Sequence, residues 1–321
     1  MNDKNPHIPV LLNEVLSAIN PQDGALYIDG TFGAGGYSDA VLAAANCRVI
    51  AIDRDPSVRE YAQKLTEKYG DRFRLKEGCF GQMSDLLKEE IGKAQGVMLD
   101  IGVSSMQIDA PERGFSFRND GPLDMRMSQA GISAHEIVNQ SEEAELADIF
   151  YLYGEERASR RVAHAIVDAR QTAPIETTAQ LAAIIRRAVK SAGKGNDDKD
   201  PATRSFQGLR IYVNQELDEL KSALAASEKM LAPGGILAVV TFHSLEDRIV
   251  KRFLQEKSGS TPNASRHIPQ DLASLNQKSA AHFKLLKAGA ITASKEEITS
   301  NPRSRSAKLR IAQRTNIGYA A

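Results

Sequence analysis

The sequence has little cysteine, no long apolar run and no export signal. Its two cysteines, Cys47 and Cys79, are too few for a disulfide framework. No apolar run reaches about 18 residues, the length that spans a bilayer. No charged segment followed by an apolar one opens the chain. We therefore expect a cytoplasmic protein with no membrane partner.

An excess of charge of one sign is also missing. The 41 basic residues balance 41 acidic ones, so the whole-chain charge does not indicate a nucleic-acid partner. Any contact with RNA must be local. Two basic groups are candidates: Arg303, Arg305, Lys308, Arg310 and Arg314 near the C-terminus, and Arg186, Arg187, Lys190 and Lys194 on a predicted helix. Charge alone leaves open whether each is an RNA contact or a solvated face.

Short apolar runs alternate with helical patterns in the first third of the chain. Strands are predicted at 26–29, 48–53, 73–76 and 97–101, and helices between them at 37–45, 56–69 and 83–91. This alternation is typical of an α/β fold with a parallel sheet. Right-handed crossovers place the loops after all four strands at one edge, where open α/β sheets bind ligands.

The alternation stops near residue 106 and returns near residue 215. Between them the pattern predicts helices at 134–139, 142–152, 155–169 and 177–191, a polar link at 193–200, and a long helix at 203–231. A strand at 236–242, a helix at 245–255, a loop at 258–280 and an antiparallel edge at 283–287 and 307–312 follow. We predict a discontinuous domain, residues 1–105 and 215–321, interrupted by a helical substrate-recognition domain at 106–214.

A glycine-rich turn, 33–36, follows the strand that ends at Asp29, and Asp53 ends the next strand. Glycines let the backbone approach a ligand, and an acid after the second strand suits ribose hydroxyls, so a nicotinamide or an S-adenosylmethionine cofactor fits. The turn lacks the third glycine that a pyrophosphate requires, since Ser38 stands there. Asp29 would repel a phosphate and suits the ammonium group of S-adenosylmethionine, which we therefore favour over a purely structural turn.

Two more residues belong to the same edge, Phe80 in the segment after the third predicted strand and Asp100 at the end of the fourth. Phe80 would lie against an adenine ring or pack in the core. Asp100 closes a buried apolar strand, where a carboxylate is costly unless it has a function or a partner. We favour a function for Asp100.

Long motifs spread over nearly the full chain resemble one family. They are HIPVLL (7–12), YIDGTFG (27–33), AIDRDP (51–56), LDIGVSS (99–105), ERGFSF (112–117), DGPLDMRM (120–127), YGEER (153–157), PATRSFQ (201–207), FHSLEDR (242–248) and NPRSRS (301–306). In these motifs and their order the chain resembles the bacterial 16S rRNA cytosine-N4 methyltransferases known as RsmH, formerly MraW.

The resemblance implies a Rossmann-like class I methyltransferase fold, dependent on S-adenosylmethionine, with an inserted all-helical domain. It implies methylation of the N4 amine of a decoding-centre cytidine in 16S rRNA within the small ribosomal subunit. The cofactor contacts that carry over are Gly35, Gly36, Tyr37, Asp53, Phe80, Asp100 and Gln107, with no metal ligand. Three positions depart from the family pattern: Tyr37 replaces a frequent histidine, Met106 a frequent proline, and Asp200 a usually apolar or basic residue.

The chemistry of such a transfer requires positioning and a proton acceptor. The N4 lone pair is delocalised into the ring, so the amine must be held in line and must lose a proton as it is methylated. Asp100, Ser104 and His243 are the candidate catalytic residues, with Ser105 adjacent. Alternatively, the serines cap the following turn and His243 caps the helix behind it. Methylation at C5 would instead need a thiolate, for which Cys79 is the candidate.

The inserted domain is the expected RNA clamp. Arg113, Phe115, Phe117 and Arg118 combine cations with aromatic rings, a composition suited to phosphate contact and base stacking, or else to a packed interdomain loop. The target base would have to flip out of the folded RNA. Two rival functions are a nicotinamide oxidoreductase and an RNA-binding assembly factor without turnover.

Overall fold

The computed structural model describes residues 9–190, 200–259 and 280–318. His7, Ile8 and Lys194 lie outside this range, as do nearly all of the predicted link at 193–200 and loop at 258–280. Residue contacts divide the chain into two compact units, which we call the sheet unit (Met1–Gly102 with Leu217–Ala321) and the helical unit (Val103–Glu216).

The sheet unit contains one mixed sheet. Its strands are β1 (Leu26–Asp29), β2 (Arg48–Asp53), β3 (Phe73–Glu77), β4 (Ala94–Asp100), β5 (Leu231–Thr241), β6 (Phe283–Leu285), β7 (Ile291–Thr292) and β8 (Lys308–Arg314). The strand order is β3-β2-β1-β4-β5-β8-β6, with β7 also paired to β8. Strands β1 to β5 are parallel, which confirms the predicted α/β class. Strand β8 is antiparallel to β5, and β6 is antiparallel to β8 at the end of the sheet, which confirms the predicted antiparallel edge.

Helices pack along the strands of this unit. They are α1 (Leu12–Ile19), α2 (Gly36–Ala44), α3 (Arg59–Tyr69), α4 (Met83–Leu86), α11 (Glu216–Met230), α12 (Ser244–Lys257) and α13 (Lys295–Ser300), numbered in chain order. Helix α4 ends well before the predicted residue 91, because 3-10 turns replace its second half. Helices α1 and α13 have no counterpart in the predicted pattern.

The sheet core explains why these strands are apolar throughout. All four residues of β1 are buried, and so are residues 96–99 of β4. Helices cover both faces of a parallel sheet, so a strand in its centre has no solvent face and shows no alternation. Ile28, Leu99 and Leu237 are almost completely buried in this cluster.

The helical unit has its own helices and its own core. The helices are α5 (Ser105–Asp109), α6 (Ala134–Gln140), α7 (Glu143–Leu152), α8 (Ser159–Thr172), α9 (Thr178–Lys190) and α10 (Thr203–Asn214). Phe150, Leu181 and Leu209 are fully buried among them. The only strand-like pairing in the described part of this unit is a bridge between Pro122 and Thr177.

The single long helix predicted at 203–231 is two helices. Gln215 has φ 52° and ends α10, its N–H bonded to the carbonyls of Ile211 and Tyr212. A left-handed residue cannot continue a helix, so the chain turns here, close to the boundary between the two units. Among the described helices, none is long and apolar enough to cross a membrane.

Candidate active site

Three carboxylates stand at the carboxyl ends of neighbouring strands. Asp29 ends β1, Asp53 ends β2 and Asp100 ends β4, and β1 lies between the other two. The direction of strand succession reverses between β1 and β4, and such a switch point is where open α/β sheets bind ligands. The fold therefore places the three predicted acids at the binding edge of the sheet.

The glycine turn after β1 leads into α2. Gly35 is the N-cap of α2 with φ 81°, and a Cβ there would lie 2.8 Å from the Phe32 ring, so only glycine fits without strain. A Cβ at Gly36 would lie 2.1 Å from Pro9. Asp53 Oδ2 accepts the Gly33 N–H at 2.8 Å and fixes the turn from the neighbouring strand. The result is a backbone cradle with an acid beside it.

Asp29 and Asp53 are both held by hydrogen bonds. Asp29 is fully buried, and its oxygens accept the Ser38 hydroxyl at 2.7 Å and the Thr31 N–H at 3.2 Å. Burial raises its pKa to about 6. Asp53 Oδ1 accepts the Asp55 N–H at 2.8 Å, and burial raises the pKa of Asp53 as well.

Asp100 differs from the other two acids. Its N–H donates to Thr31 Oγ1 at 2.7 Å, but its Oδ1 is buried with no hydrogen-bond partner among the described residues. Burial raises its pKa to about 8, with further repulsion from Asp29 and Glu246. An unsatisfied buried carboxylate beside two other acids suits a cationic ligand, and S-adenosylmethionine carries both an ammonium and a sulfonium group.

Tyr37 has a structural side chain. It is 4% exposed, and its hydroxyl donates to the carbonyl of Val10. Burial raises its pKa well above the usual range, with added repulsion from Asp100 and Asp29. The predicted cofactor contact of Tyr37 stays a prediction, which its backbone at the start of α2 would have to provide.

Phe80 begins a 3-10 turn, Phe80–Gln82, after β3. It is half-buried against the sheet core, which is the alternative foreseen for it, and its partial exposure still leaves a ring surface for a ligand. The next residue, Gly81, donates its N–H to Glu219 Oε2 at 3.0 Å. Burial and the nearby Glu219 and Asp53 raise the pKa of the Cys79 thiol, although Arg54 lowers it.

His243 is the N-cap of α12, which is the alternative foreseen for it. Its Nδ1 accepts the Glu246 N–H at 3.5 Å, and its Nε2 lies 2.9 Å from Glu246 Oε1. Glu246 is fully buried and accepts the N–H groups of Phe242 and His243. The imidazole is thus fixed by the acid that follows it.

Ser104 and Gln107 belong to the helical unit and form a capping box at the start of α5. Ser104 Oγ accepts the Gln107 N–H at 3.3 Å, and Gln107 Oε1 accepts the Ser104 N–H at 3.0 Å. Ser104 therefore caps the turn, as foreseen in the alternative for it. Gln107 is 5% exposed. Its contact with the cofactor stays a prediction.

The residues predicted to clamp RNA are largely packed within the helical unit. Arg113 donates to the carbonyls of Arg126 and Met127, and its guanidinium lies 5.7 Å from the Phe115 ring. Phe117 meets Phe206 edge-on with the ring centroids 4.8 Å apart. Of the four, only Arg118 has an exposed side chain.

The two basic groups are also partly structural. Lys308 and Arg310 both bind Asp247, and Arg314 is 5% exposed with its guanidinium bonded to backbone carbonyls. On α9, Arg186 forms an ion pair with Asp200 at 2.8 Å. The departure at Asp200 from the family pattern thus supplies a partner for a basic residue.

The sequence reasoning missed three polar residues that hold the site together. Thr31 supports Asp100, Ser38 supports Asp29, and Glu246 fixes the backbone after β5. Glu246 had a signal, since a glutamate three residues after an N-cap is the spacing of a capping box. For Thr31 and Ser38 the only signal was a small polar residue next to the glycine turn.

Three features of the site fit an adenosyl cofactor with a cationic end: the cradle at Gly35, the acids at the ends of β1 and β2, and the unsatisfied oxygen of Asp100. In this sheet they define the class of the protein: it is an S-adenosylmethionine-dependent methyltransferase, as predicted.

The chain belongs to the MraW methylase family, whose model matches residues 4–315. It is 56% identical to the ribosomal RNA small subunit methyltransferase H of Paramagnetospirillum magneticum, over 97% of this chain and 96% of that protein. It is 54% identical to the protein of the same name from Rhodospirillum rubrum, over 99% and 97%, and 52% identical to that of Zymomonas mobilis, over 98% and 92%. The family resemblance seen in the motifs is confirmed.

Proposed function

We propose that this enzyme methylates small-subunit ribosomal RNA, at the N4 amine of a cytidine in the decoding centre of 16S rRNA, with the small ribosomal subunit as substrate. The names of the relatives support ribosomal RNA as the acceptor, and the motif resemblance supports the cytidine. The site of action is the cytoplasm, with no membrane partner.

The observation that carries the mechanism is the buried Oδ1 of Asp100, which has no hydrogen-bond partner in the described part of the chain. The cofactor supplies an activated methyl group. As the N4–C bond forms and the C–S bond breaks, the amine must release a proton, and Asp100 accepts it in its ionised form. The pKa of Asp100 is about 8 without a cation nearby, so a bound cation favours the ionised form.

The other candidates are held at helix starts. His243 Nδ1 accepts the Glu246 N–H, and the Ser104 hydroxyl accepts the Gln107 N–H. Methylation at C5 is disfavoured because that reaction requires a thiolate, and burial raises the pKa of the Cys79 thiol. An assembly factor without turnover would have no use for an unsatisfied buried carboxylate, which costs stability.

The test is methyl transfer from labelled S-adenosylmethionine to small ribosomal subunits, followed by digestion and mass spectrometry of the nucleosides. We expect the label in N4-methylcytidine at one position. Asp100→Asn should lower kcat by about 10²–10⁴-fold, whereas Cys79→Ser should retain it. Label at C5, or near-normal turnover of Asp100→Asn at saturating cofactor, contradicts the mechanism; no transfer to small subunits contradicts the proposed function.

A further inference from the structure

The turn between α7 and α8 presents large apolar side chains to solvent. Tyr151 is 61% exposed and Leu152 is 55% exposed, and they are adjacent at the end of α7. Both belong to the helical unit, whose core is otherwise well filled. Two adjacent exposed side chains of this size, one of them aromatic, need a reason beyond packing.

Three exposed arginines follow along the chain. Arg157 lies in the turn itself, and Arg160 and Arg161 lie in the first turn of α8. Arg157 and Arg160 have no hydrogen bond or ion pair within the described part of the chain. From Asp148 to Arg161 the exposed acids are Asp148 on α7 and Glu155 in the turn, so the three arginines outnumber them.

The arginines stand at the end of α8 that least favours them. Helix α8 begins at Ser159, runs for 14 residues and has no acid in its first turn. The helix dipole makes this end positive, so cations here repel the helix and each other. Cations and helix N–H groups that converge on one surface attract an anion.

The turn is rigidly built. The buried Glu156 donates its N–H to the Phe150 carbonyl at 3.0 Å, and its Oε1 accepts the Ala158 N–H at 2.8 Å. Gly154 packs so closely on α10 that a Cβ would lie 2.4 Å from the Arg204 carbonyl oxygen. The bond from Glu156 to Phe150 ties the residue before Arg157 to the residue before Tyr151. Little ordering of the backbone would be needed when a ligand binds here.

We propose that Tyr151, Leu152, Arg157 and Arg160 form an RNA-binding surface of the helical unit, with the arginines on phosphates and Tyr151 stacked on an unpaired base. The inference rests on the proposed ribosomal RNA substrate. Guanidinium groups beside an exposed aromatic ring match single-stranded RNA in both charge and stacking. This surface takes the role predicted for Arg113, Phe115 and Phe117, whose side chains are occupied within the fold.

The first test removes the two charges. In the full chain, Arg157→Gln/Arg160→Gln should raise the Kd for small subunits by about tenfold or more and reduce the slope of log K against log salt by about 2. The KM for subunits should rise while kcat at saturating subunit and the Kd for S-adenosylmethionine stay the same. The matched control is Arg74→Gln/Arg252→Gln, which removes two exposed arginines of the sheet unit that have no partner among the described residues and should leave all five quantities unchanged.

The second test separates stacking from charge. Tyr151→Ala should raise the Kd for subunits by about 5- to 100-fold without changing the salt slope, and Tyr151→Phe should restore binding because its ring still stacks. If the wild type and the Arg157/Arg160 double variant bind subunits equally, the proposed RNA-binding surface is wrong. Methylation of subunits by the wild type would still support the proposed function. Weaker binding of the double variant to subunits, together with no ultraviolet cross-link between Tyr151 of the wild type and RNA, assigns the surface to a ribosomal protein and overturns the RNA assignment.

Discussion

Asp29, Asp53 and Asp100 are equivalent in strand position but not in environment. Asp29 receives a hydroxyl and a backbone N–H, and Asp53 receives two backbone N–H groups. These bonds offset the cost of removing a carboxylate from water. Asp100 has a buried oxygen without such a bond. Of the three acids, Asp100 is therefore the one whose burial is least offset by hydrogen bonds.

Asp100→Asn should stabilise the cofactor-free protein above neutral pH. The folded pKa of Asp100, about 8, lies above its ordinary value of 3.8, so ionisation costs folding free energy as the pH rises between these values. By thermal unfolding at pH 8, Tm should rise by at least about 2 °C, the shift from roughly 1 kcal/mol in a protein of this size. The gain should disappear as the pH falls towards 4.

Asp53→Asn is the matched control for that measurement. Both Asp53 oxygens accept backbone N–H groups, so an amide NH₂ at either position would face a donor and Tm should fall. A lower Tm for Asp100→Asn at pH 8 would mean that its buried oxygen has a favourable partner after all.

At the scale of elements, capping explains Ser104 and His243, which the sequence offered as catalytic. Ser104 with Gln107 and His243 with Glu246 form capping boxes, as does Ser133 with Glu136. Each satisfies N–H groups that a helix start leaves without partners. Residues of this spacing are therefore explained by the helix before any chemistry is invoked.

The contact between the α7–α8 turn and α10 sets a second prediction. Gly154→Ala would place a methyl group 2.4 Å from the Arg204 carbonyl oxygen and 2.7 Å from that of Phe150, both backbone atoms. We expect a loss of about 1–3 kcal/mol in the free energy of unfolding, measured with urea. Gly289→Ala is the control, because nothing lies within 4 Å of a Cβ there. Equal stability of the two variants would refute the close approach.

At the scale of the whole molecule, the chain has two separate hydrophobic clusters. One lies in the sheet unit around Ile28 and Leu237, and the other lies in the helical unit around Phe150 and Leu181. A unit with its own core has its own cooperative unfolding. The described cofactor cradle and the three acids all belong to the sheet unit.

Calorimetry of the full chain should therefore show two transitions. S-adenosylmethionine at 100 times its Kd should stabilise the sheet unit by about 2.7 kcal/mol and so raise the temperature of its transition. Leu181→Ala should destabilise only the helical unit, by about 2–5 kcal/mol, and lower the temperature of its transition. Leu237→Ala should lower only the temperature of the transition that the cofactor raises. A single transition that all three changes shift together would show that the units unfold as one.

Much of this fold could be predicted from periodicity. The strands that end at Asp29, Asp53 and Asp100 lie near their predicted positions because central parallel strands are uniformly apolar. The sequence pattern did not predict helices α1 and α13 because they are short. It did not predict the break at Gln215 because glutamine is not a typical turn residue. Such elements depend on packing more than on local preference.

The sequence by itself determined the α/β class, the glycine turn, the acids at the strand ends and the family, because these follow from local pattern and from motifs in fixed order. Only the tertiary structure decided which candidate side chains are already bonded within the fold. It joined His243 to Glu246, buried the Tyr37 hydroxyl against Val10 and left Asp100 Oδ1 without a hydrogen bond from any described residue. Hydrogen-bond satisfaction depends on groups distant in the chain, and no local pattern records where those groups come to lie.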